Sequence, residues 1–554
     1  MFPQNQLIFM LERFVLRLVV LAALICGVVS SFGQAFTSSN LPIVVIDTEG
    51  AFIQDEPKIT ANMGIVDNGV GVRNNLTDAF NVYNGKIGIE LRGSSSQMFP
   101  KKPYGIELRD ANGNGISMPI LGMPAEEDWV LIATYNDKSL MRDALAYKLG
   151  RDLGRYAPRT RFCEVVINGE YLGVYMLAEG IKRDKNRVDI SKLEPNEISG
   201  DDLTGGYIIK IDKSTGNSGE GFASRYPPLN RSGTQVVYFQ YEYPKFDEIV
   251  TQQKAYIQKY VDDFEMVLKS HAYADPVNGY QKYIDVDSFI DYLIINEISK
   301  NVDGYRLSTF LYKDKKGKLT MGPVWDFNLA FGNADYCLGG PTDGWMYNFN
   351  YACNQDWWLI PFWWSRLLSD QNFSNKLGNR WHALREDKLS KTTINTYIDS
   401  LATVLNVEAQ QRNFTKWPVL GQYVWPNYFV GQTYQQEVTF LKSWISDRLT
   451  WLDYNMPHPV ITSNEENTNS EFILWVYPNP VQDVLQLRYT IQKPGPLNIE
   501  LYNVTGTIVD RMETIVNQPG DYTLEREVRT LARGIYFLRA QQNGRSVFSK
   551  VVKQ

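Results

Sequence analysis

Two aspartates at the ends of one predicted hairpin are the side chains best placed for chemistry. The pattern predicts a helix ending over residues 296–300, an acidic turn, and strands at 308–313 and from Leu319 onward that form a hairpin. Asp303 precedes the first strand, and Asp326 ends the second strand 23 positions later. Both of these ends lie on the same side of a hairpin, so we expect the two carboxylates to converge.

Converging carboxylates suit a magnesium-dependent phosphoryl transfer. One carboxylate orients the attacking hydroxyl and accepts its proton, and the other holds the metal on the nucleotide phosphates. A structural interpretation stands beside this one. An aspartate before glycine, such as Asp303, is commonly a turn residue, and an aspartate at a strand end, such as Asp326, often caps a neighbouring helix. The spacing alone leaves both interpretations open.

A serine-rich loop between two further strands is a candidate cover for phosphates. Residues 87–92 alternate as a strand does, Gly93 and three serines interrupt them, and Lys101 and Lys102 lead into a strand at 104–108. Backbone amides of small residues can approach oxygen atoms, and a lysine can reach them. The alternative is an ordinary hairpin with solvated lysines.

Strands and helices are mixed along the first 450 residues, which predicts an α+β domain. Strands are predicted at 41–47, 128–133, 161–167, 171–178 and 205–212, and helices at 140–153, 246–269 and 286–298. Asn168-Gly169 is a strong hairpin turn between two of these strands.

Composition limits the class of protein. The 554 residues predict two to four domains, and 44% hydrophobic with 21% charged residues is typical of a folded soluble chain. A net charge of -6 gives no basic footprint, so we expect no nucleic-acid partner. The 3 histidines have no neighbours at metal-ligand spacing, which argues against a zinc site or a histidine-based triad.

The N-terminus has the layout of a secretory signal peptide over residues 1–35. Arg13 and Arg17 precede an apolar run at 18–29, and cleavage is expected near Ala35. An uncleaved anchor is the alternative, but the run is shorter than the roughly 20 apolar residues of a spanning helix. After cleavage we expect no transmembrane segment.

Three cysteines remain after the signal is removed. Cys337 and Cys353 flank a loop of Gly, Pro and Asp and can pair in an oxidising compartment. Cys163 lies in an apolar strand and is expected to be a buried small residue.

An aromatic segment at 357–370 has two interpretations. Trp357, Trp358, Trp363 and Trp364 can form a platform on which sugar rings stack. The helical spacing of the apolar residues favours a core helix instead.

The chain changes character near its C-terminal end. Residues 456–472 are polar with two prolines and predict a linker. From residue 473 to residue 554, short alternating runs separated by turn signals predict a small all-β sandwich.

Over about residues 41–455 the chain resembles the CotH kinase family. The matching blocks are residues 92–96 with 101–104, 128–129, 135–143, 168–175 with Glu179, 205–207, 301–303 and 325–328. The resemblance implies an atypical protein-kinase-like fold that uses ATP and Mg²⁺ or Mn²⁺ to phosphorylate Ser or Thr of a protein, or a surface polymer. It implies a catalytic role for Asp303, a metal-binding role for Asp326, and nucleotide-binding roles for Lys102, Arg92 and Glu179.

The chain departs from the kinase pattern at one position. A kinase-like loop supplies a second metal ligand, Asn, five positions after the catalytic Asp. Here that position is Ser308. The expected metal set is therefore Asp326 with the Ser308 hydroxyl and the Asn328 amide, and Asn301 is an alternative amide donor.

Residues 473–554 resemble the C-terminal sorting domain of type IX secretion. The resemblance rests on residues 477–480, 502–506, 531–537 and 550–553, in that order. It implies the type IX machinery as a partner and export through the periplasm to the outer-membrane surface or the medium. A binding sandwich, such as a fibronectin-like module, is the alternative.

Two functions follow as hypotheses. The first is a secreted or surface kinase-like phosphotransferase. The second is an inactive kinase scaffold that binds a glycan or protein partner, which the aromatic content, Ser308 and the scarcity of ATP outside the cell favour.

Overall fold

The computed structural model describes residues 36–213, 220–406, 408–457, 472–491, 493–542 and 545–554. The chain divides into two units, Met1–Val460 and Ile461–Gln554, and each is described by itself. The predicted signal peptide at 1–35 and most of the predicted linker at 456–472 lie outside the described residues. Within the described residues, no helix has the length and apolar composition needed to cross a membrane.

The N-terminal part of the first unit is built around a closed barrel. Its strands are β1 (Ser38–Ser39), β2 (Ile43–Asp47), β3 (Ile59–Val66), β4 (Asn74–Asn75), β5 (Tyr83–Leu91), β6 (Tyr104–Arg109), β7 (Met118–Ile120), β8 (Met123–Glu126), β9 (Asp128–Ile132), β10 (Thr160–Ile167) and β11 (Glu170–Glu179). Of these, seven close the barrel in the order β10-β11-β9-β6-β5-β3-β2. The inward-facing side chains, Ile87, Ile89 and Ile106 among them, are almost fully buried. The predicted turn at Asn168-Gly169 joins β10 to β11, with both residues at positive φ.

Helices and a second sheet form the rest of the unit. The helices of the described chain are α1 (Arg142–Asp152), α2 (Thr251–Lys269), α3 (Val286–Ser299), α4 (Phe349–Ala352), α5 (Trp363–Leu368), α6 (Gln371–Glu386), α7 (Lys391–Asn406), α8 (Ala409–Lys416) and α9 (Tyr434–Asn455). The sheet strands are β12 (Tyr207–Ile211), β13 (Gly221–Ala223), β14 (Tyr238–Tyr243), β15 (Thr309–Lys313) and β16 (Thr320–Met321), in the order β13-β14-β12-β15-β16. The predicted α+β class is confirmed.

The hairpin β15–β16 exists, but its second strand is shorter than the pattern predicts. Leu311 and Met321 are paired, and the pairing stops there. Pro323 has no N–H to donate to a ladder, so the chain runs irregularly from there to Asp326. Before the hairpin, α3 ends at Ser299, and the next residue, Lys300, has a left-handed φ of 47°. That reversal brings the turn bearing Asp303 to the base of β15.

The aromatic segment is part of the core. Trp363 and Trp364 are 0% and 1% exposed, and Trp363 packs edge-on against Phe264 of α2. The core-helix interpretation, which the helical spacing favours, is therefore confirmed for these two, and they cannot belong to a sugar platform because α5 turns them into the interior. Trp357 lies before the helix and is 71% exposed.

The cysteine predictions are confirmed. Cys337 and Cys353 form a disulfide across 16 positions, and Cys163 is a free, buried thiol.

The second unit is the predicted all-β sandwich. Its described strands are β17 (Phe472–Tyr477), β18 (Val484–Ile491), β19 (Gly495–Asn503), β20 (Ile508–Val516), β21 (Gly520–Glu527), β22 (Gly534–Gln542) and β23 (Arg545–Lys553). They form two sheets, β17-β18-β21 and β20-β19-β22-β23, around an apolar core.

Candidate active site

The turn after α3 and the segment after β16 meet at one asparagine. Asn301 donates from Nδ2 to the backbone carbonyl of Asp326 at 3.2 Å, and Asn301 Oδ1 accepts from the backbone N–H of Asp303 at 3.2 Å. One side chain thus ties both aspartate segments together. The two segments converge, as the hairpin predicts.

One of the two carboxylate oxygens of Asp303 is paired with an arginine of the protein. Its Oδ1 accepts a hydrogen bond from Arg306 at 2.7 Å and lies 3.5 Å from the Tyr336 hydroxyl. Arg306 is buried and also pairs with Asp356 at 3.2 Å. Both contacts to Asp303 use the same oxygen, so within the described residues Oδ2 has no hydrogen-bond partner. That oxygen can accept the proton of a hydroxyl.

Asp326 lies in the irregular segment after β16 and is exposed to solvent. Its side chain reaches solvent, yet the protein surrounds it closely enough that desolvation raises its pKa to about 8. The charges of Asp143, Asp303 and Asp212 contribute to this rise in pKa, and the charge of Lys213 opposes it. Among the described residues, none donates a hydrogen bond to its carboxylate. An unpaired carboxylate among other acids is suited to receive a cation.

Helix α1 fixes the backbone of this segment. Asp143 Oδ1 accepts from the Phe327 N–H at 2.7 Å, and the Tyr147 hydroxyl accepts from the Asp326 N–H at 3.2 Å. The Tyr147 ring also stacks on Trp325, with 5.8 Å between centroids. Asp143 and Tyr147 are four positions apart and therefore share one face of the helix. This grip holds Asp326 at a left-handed φ of 65°, a strain typical of functional positions.

Burial gives this region carboxylates of reduced acidity. Burial raises the pKa of Asp143 to about 7, against the effect of its hydrogen bond from Phe327. Burial also raises the pKa of Asp212, which follows β12, while Lys210 and the backbone amides of Lys213 and Ser308 lower it.

An asparagine network extends from the same segment. Asn328 donates to Asn136 Oδ1 at 3.0 Å, and Asn333 donates to the Asn328 backbone carbonyl at 2.7 Å. Asn427 donates to the Asn136 carbonyl at 2.7 Å and to Asn333 Oδ1 at 3.0 Å. The amide oxygen of Asn328 has no donor among the described residues and can serve a metal.

Of the remaining predicted site residues, Arg92 lies next to Asp326, whereas Lys102 and Glu179 are bonded to other parts of the chain. Arg92 lies over the Trp325 ring, with 5.2 Å to its centroid, and is thereby next to Asp326. Lys102 instead donates to the Gln97 carbonyl at 2.6 Å within its own loop. Glu179 is buried and pairs with Arg159 at 2.7 Å.

Within the described residues, neither Lys102 nor Glu179 forms a hydrogen bond or ion pair with the segment around Asp326, so their nucleotide-binding roles stay predictions. Ser308 directly precedes β15 and has a left-handed φ of 45°, and its hydroxyl makes no hydrogen bond within the described chain.

The donor set fits a divalent cation with oxygen ligands. Carboxylate and amide oxygens are the ligands that Mg²⁺ and Mn²⁺ take. Three carboxylates within 4.8 Å of one another occur, among the described residues, only at Glu126, Glu127 and Asp128. Lys182 pairs with all three of them at 2.6 to 3.0 Å, so a protein cation already lies among these carboxylates.

The sequence interpretation missed Asp143, Tyr147 and Asp212. Asp143 and Tyr147 belong to a helix that the apolar spacing predicts, and the matching block at 135–143 implies no role for Asp143. Their polar pair at i and i+4 on a buried helix was the signal available. Asp212 directly follows the strand β12, as Asp326 follows β16, but an aspartate after a strand is a weaker indication of a functional role.

Comparison with known proteins identifies the family of this chain. Residues 89–452 match the family model described as CotH kinase protein. The chain belongs to the CotH kinase protein family. Residues 475–554 match the model of the secretion system C-terminal sorting domain.

One curated relative is the inner spore coat protein H of Bacillus subtilis (strain 168). The two chains are 26% identical over 250 residues, which is 44% of this chain and 59% of the relative. The match therefore spans less than two thirds of that relative's length.

Two solved structures overlap short parts of the chain. Dimeric latent PorU from Porphyromonas gingivalis is 16% identical, covers 16% of this chain and 10% of its own, and has a TM-score of 0.14. The sulfur carrier protein SoxY from Chlorobium limicola f thiosulfatophilum is 11% identical, covers 16% of this chain and 81% of its own, and has a TM-score of 0.12. These overlaps bear on neither the CotH fold nor the site.

Proposed function

We propose that this CotH protein is an exported phosphotransferase. It transfers the γ-phosphoryl group of ATP to a hydroxyl group of a protein Ser or Thr, or of a surface polymer, with Mg²⁺ or Mn²⁺. The observation that carries the proposal is the junction at Asn301, which joins the segments of Asp303 and Asp326 beside a cluster of acidic side chains. An atypical kinase-like architecture is part of the same proposal.

In this proposal some residues bind the metal and others accept the proton of the acceptor hydroxyl. Asp326 and the Asn328 amide oxygen would hold the metal, with Ser308 as a third oxygen donor. When bound, the metal neutralises charge on the nucleotide phosphates. Asp303 accepts the acceptor hydroxyl's proton at Oδ2, and Arg306 holds its other oxygen in place.

The loop between β5 and β6 covers the phosphates in this proposal. Arg92 is the cation of that loop that lies beside the Asp326 segment, against Trp325. Lys102 joins it only if its hydrogen bond to Gln97 is exchanged for one to phosphate.

The sorting domain supports export by type IX secretion to the outer-membrane surface or the medium. The disulfide between Cys337 and Cys353 is in keeping with an oxidising compartment. ATP is scarce outside the cell, so we infer that transfer takes place in the periplasm before export.

The alternative is an inactive scaffold that binds a partner. Ser308 supports it, because a hydroxyl is a weaker metal ligand than the amide of a kinase loop. The ion pair between Asp303 and Arg306 supports it too.

Transfer of labelled phosphate separates the two functions. The purified chain is incubated with [γ-³³P]ATP and Mg²⁺ together with envelope proteins and glycans. We expect label in an acceptor, lost in Asp303→Ala and Asp326→Ala and retained in the control Asp247→Ala, an exposed aspartate that belongs to neither proposed site. Label of equal intensity in Asp303→Ala would favour the inactive scaffold, with the activity belonging to a contaminant.

A further inference from the structure

An exposed aromatic surface lies beside Asp303. Tyr423, Trp425 and Tyr428 are 57%, 45% and 51% exposed. We call these three residues, with Tyr336, the aromatic surface. The Trp425 ring stacks on Tyr336 with 6.2 Å between centroids and 6° between planes. Large apolar side chains exposed together in this way mark interaction sites.

Tyr336 connects the aromatic surface to the reaction site. Its hydroxyl lies 3.5 Å from Asp303 Oδ1. Burial, and then the charge of Asp303, raise the pKa of Tyr336, so its phenol stays protonated and faces the carboxylate as a donor. A molecule resting on the outer face of Trp425 is therefore separated from the proposed base by the Trp425 and Tyr336 rings.

The protein builds this surface before any ligand arrives. Asp335 N–H donates to the Pro426 carbonyl at 2.8 Å, and Tyr428 N–H donates to the Asn333 carbonyl at 2.9 Å. The two segments that carry the rings are thus bonded to each other. The disulfide from Cys337 anchors one of them further. Because the two segments are already held together, binding of a ligand costs little additional conformational entropy.

The polar groups on this surface favour a neutral ligand. Asp335 is exposed and accepts a hydrogen bond from the Tyr423 hydroxyl at 2.8 Å. Asp303 and Asp356 lie nearby, and the buried Arg306 forms ion pairs with both of them. This field repels an anionic acceptor.

The backbone of this surface is also poorly suited to bind a peptide by strand addition. The segments bearing Asp335 and Tyr428 pair with each other, which occupies backbone groups that strand addition would need. Exposed ring faces with carboxylate and phenol oxygens at their margin instead suit a sugar, whose C–H face packs on a ring while its hydroxyls take hydrogen bonds.

We propose that the aromatic surface binds a neutral carbohydrate, and that a hydroxyl of this carbohydrate is the phosphoryl acceptor. The acceptor role rests on the proposed function. The sugar oxygen forms a bond to the γ-phosphorus of ATP, and the bond from that phosphorus to the β–γ bridging oxygen breaks. ADP leaves with the bonding electron pair, and the hydroxyl proton passes to Asp303 Oδ2.

Binding is tested on the full chain by tryptophan fluorescence. The probes are cellohexaose, laminarihexaose and mannohexaose, with hexagalacturonate as an anionic probe and a serine-containing, lysine-rich peptide as a protein probe. We expect one of the neutral sugars to bind saturably, at least tenfold more weakly to Trp425→Ala, and as tightly as wild type to the control Phe52→Ala, an exposed aromatic elsewhere (81% exposed).

Three results would overturn the proposal: no neutral sugar binds, Trp425→Ala binds the sugar as wild type does, or only the peptide depends on Trp425. The melting temperature with MgATP is measured on the same samples. A sugar that binds through Trp425 to a chain with no MgATP shift overturns the acceptor role together with the phosphotransferase, whereas an MgATP shift without sugar binding overturns the carbohydrate alone.

Discussion

Lys101 and Lys102 are adjacent in sequence, but the structure gives them different roles, and stability against pH can separate them. Lys101 is 2% exposed and donates to the Val174 carbonyl and to Asn413 Oδ1 at 2.9 Å, which joins the barrel to α8. Burial lowers its pKa to about 7 from an ordinary 10.5, and Glu164 opposes this. Lys102 is half-buried and bonded within its own loop.

The direction in which stability changes with pH follows from the number of protons that the folded and unfolded chains hold. Below pH 7 both the folded and the unfolded chain hold the Lys101 proton, and above pH 10.5 neither does. Between these values only the unfolded chain holds it, so Lys101 makes folding more favourable as pH rises. Integrating the two titrations gives a gain of about 2 kcal/mol between pH 7 and pH 9.

The perturbation is Lys101→Met, and the assay is urea unfolding at pH 6, 7, 8 and 9. Methionine leaves two buried acceptors unsatisfied, which lowers stability by about 1–3 kcal/mol for each at every pH. The difference in free energy of unfolding between wild type and Lys101→Met should therefore widen by about 2 kcal/mol from pH 7 to pH 9. Lys102→Met is the matched control and should show no such widening. A difference that is constant with pH refutes the reasoning.

Three further predictions concern the site and its support. Tyr147→Phe removes the hydroxyl that accepts the hydrogen bond of the Asp326 N–H. Mg²⁺ binding, measured by calorimetry, should therefore weaken by up to about tenfold while the melting temperature changes little. An unchanged Mg²⁺ affinity would show that this hydrogen bond does not position Asp326. Cys353→Ser opens the 16-residue link to Cys337 and should lower the free energy of unfolding by about 3 kcal/mol, with no effect of reductant left. Trp363→Ala should lower it by about 3–5 kcal/mol in urea unfolding, as expected for a core side chain that is 0% exposed.

The parts of the fold that sequence could predict are those with local causes. Asn168-Gly169 requires a tight turn, and the turn is there between β10 and β11. The β15–β16 hairpin follows from its alternating residues and its Lys-Gly turn, so the approach of the Asp303 and Asp326 segments could be inferred from the residue pattern alone. The sandwich of the second unit follows from its regularly spaced short strands.

The parts that sequence could not predict depend on distant contacts. Closure of the barrel requires β10 to pair in parallel with β2, more than 100 positions away, and nothing local specifies that partner. Trp363 and Trp357 have the same residue type, and only the placement of α5 decides that one is core and the other surface. The grip of Asp143 on Phe327 spans 184 positions.

The account depends on Asp303 and Asp326 forming one metal-dependent nucleotide site, and binding of ATP tests this most directly. Melting temperature is measured with ATP, with ATP and Mg²⁺, and with ATP, Mg²⁺ and EDTA, for wild type, Asp326→Ala and Asp335→Ala. At ATP concentrations 100 times Kd, binding stabilises the folded chain by about 2.7 kcal/mol. We expect a rise that requires Mg²⁺, is retained in Asp335→Ala and is lost in Asp326→Ala. No rise in wild type, or an equal rise in Asp326→Ala, would contradict the account.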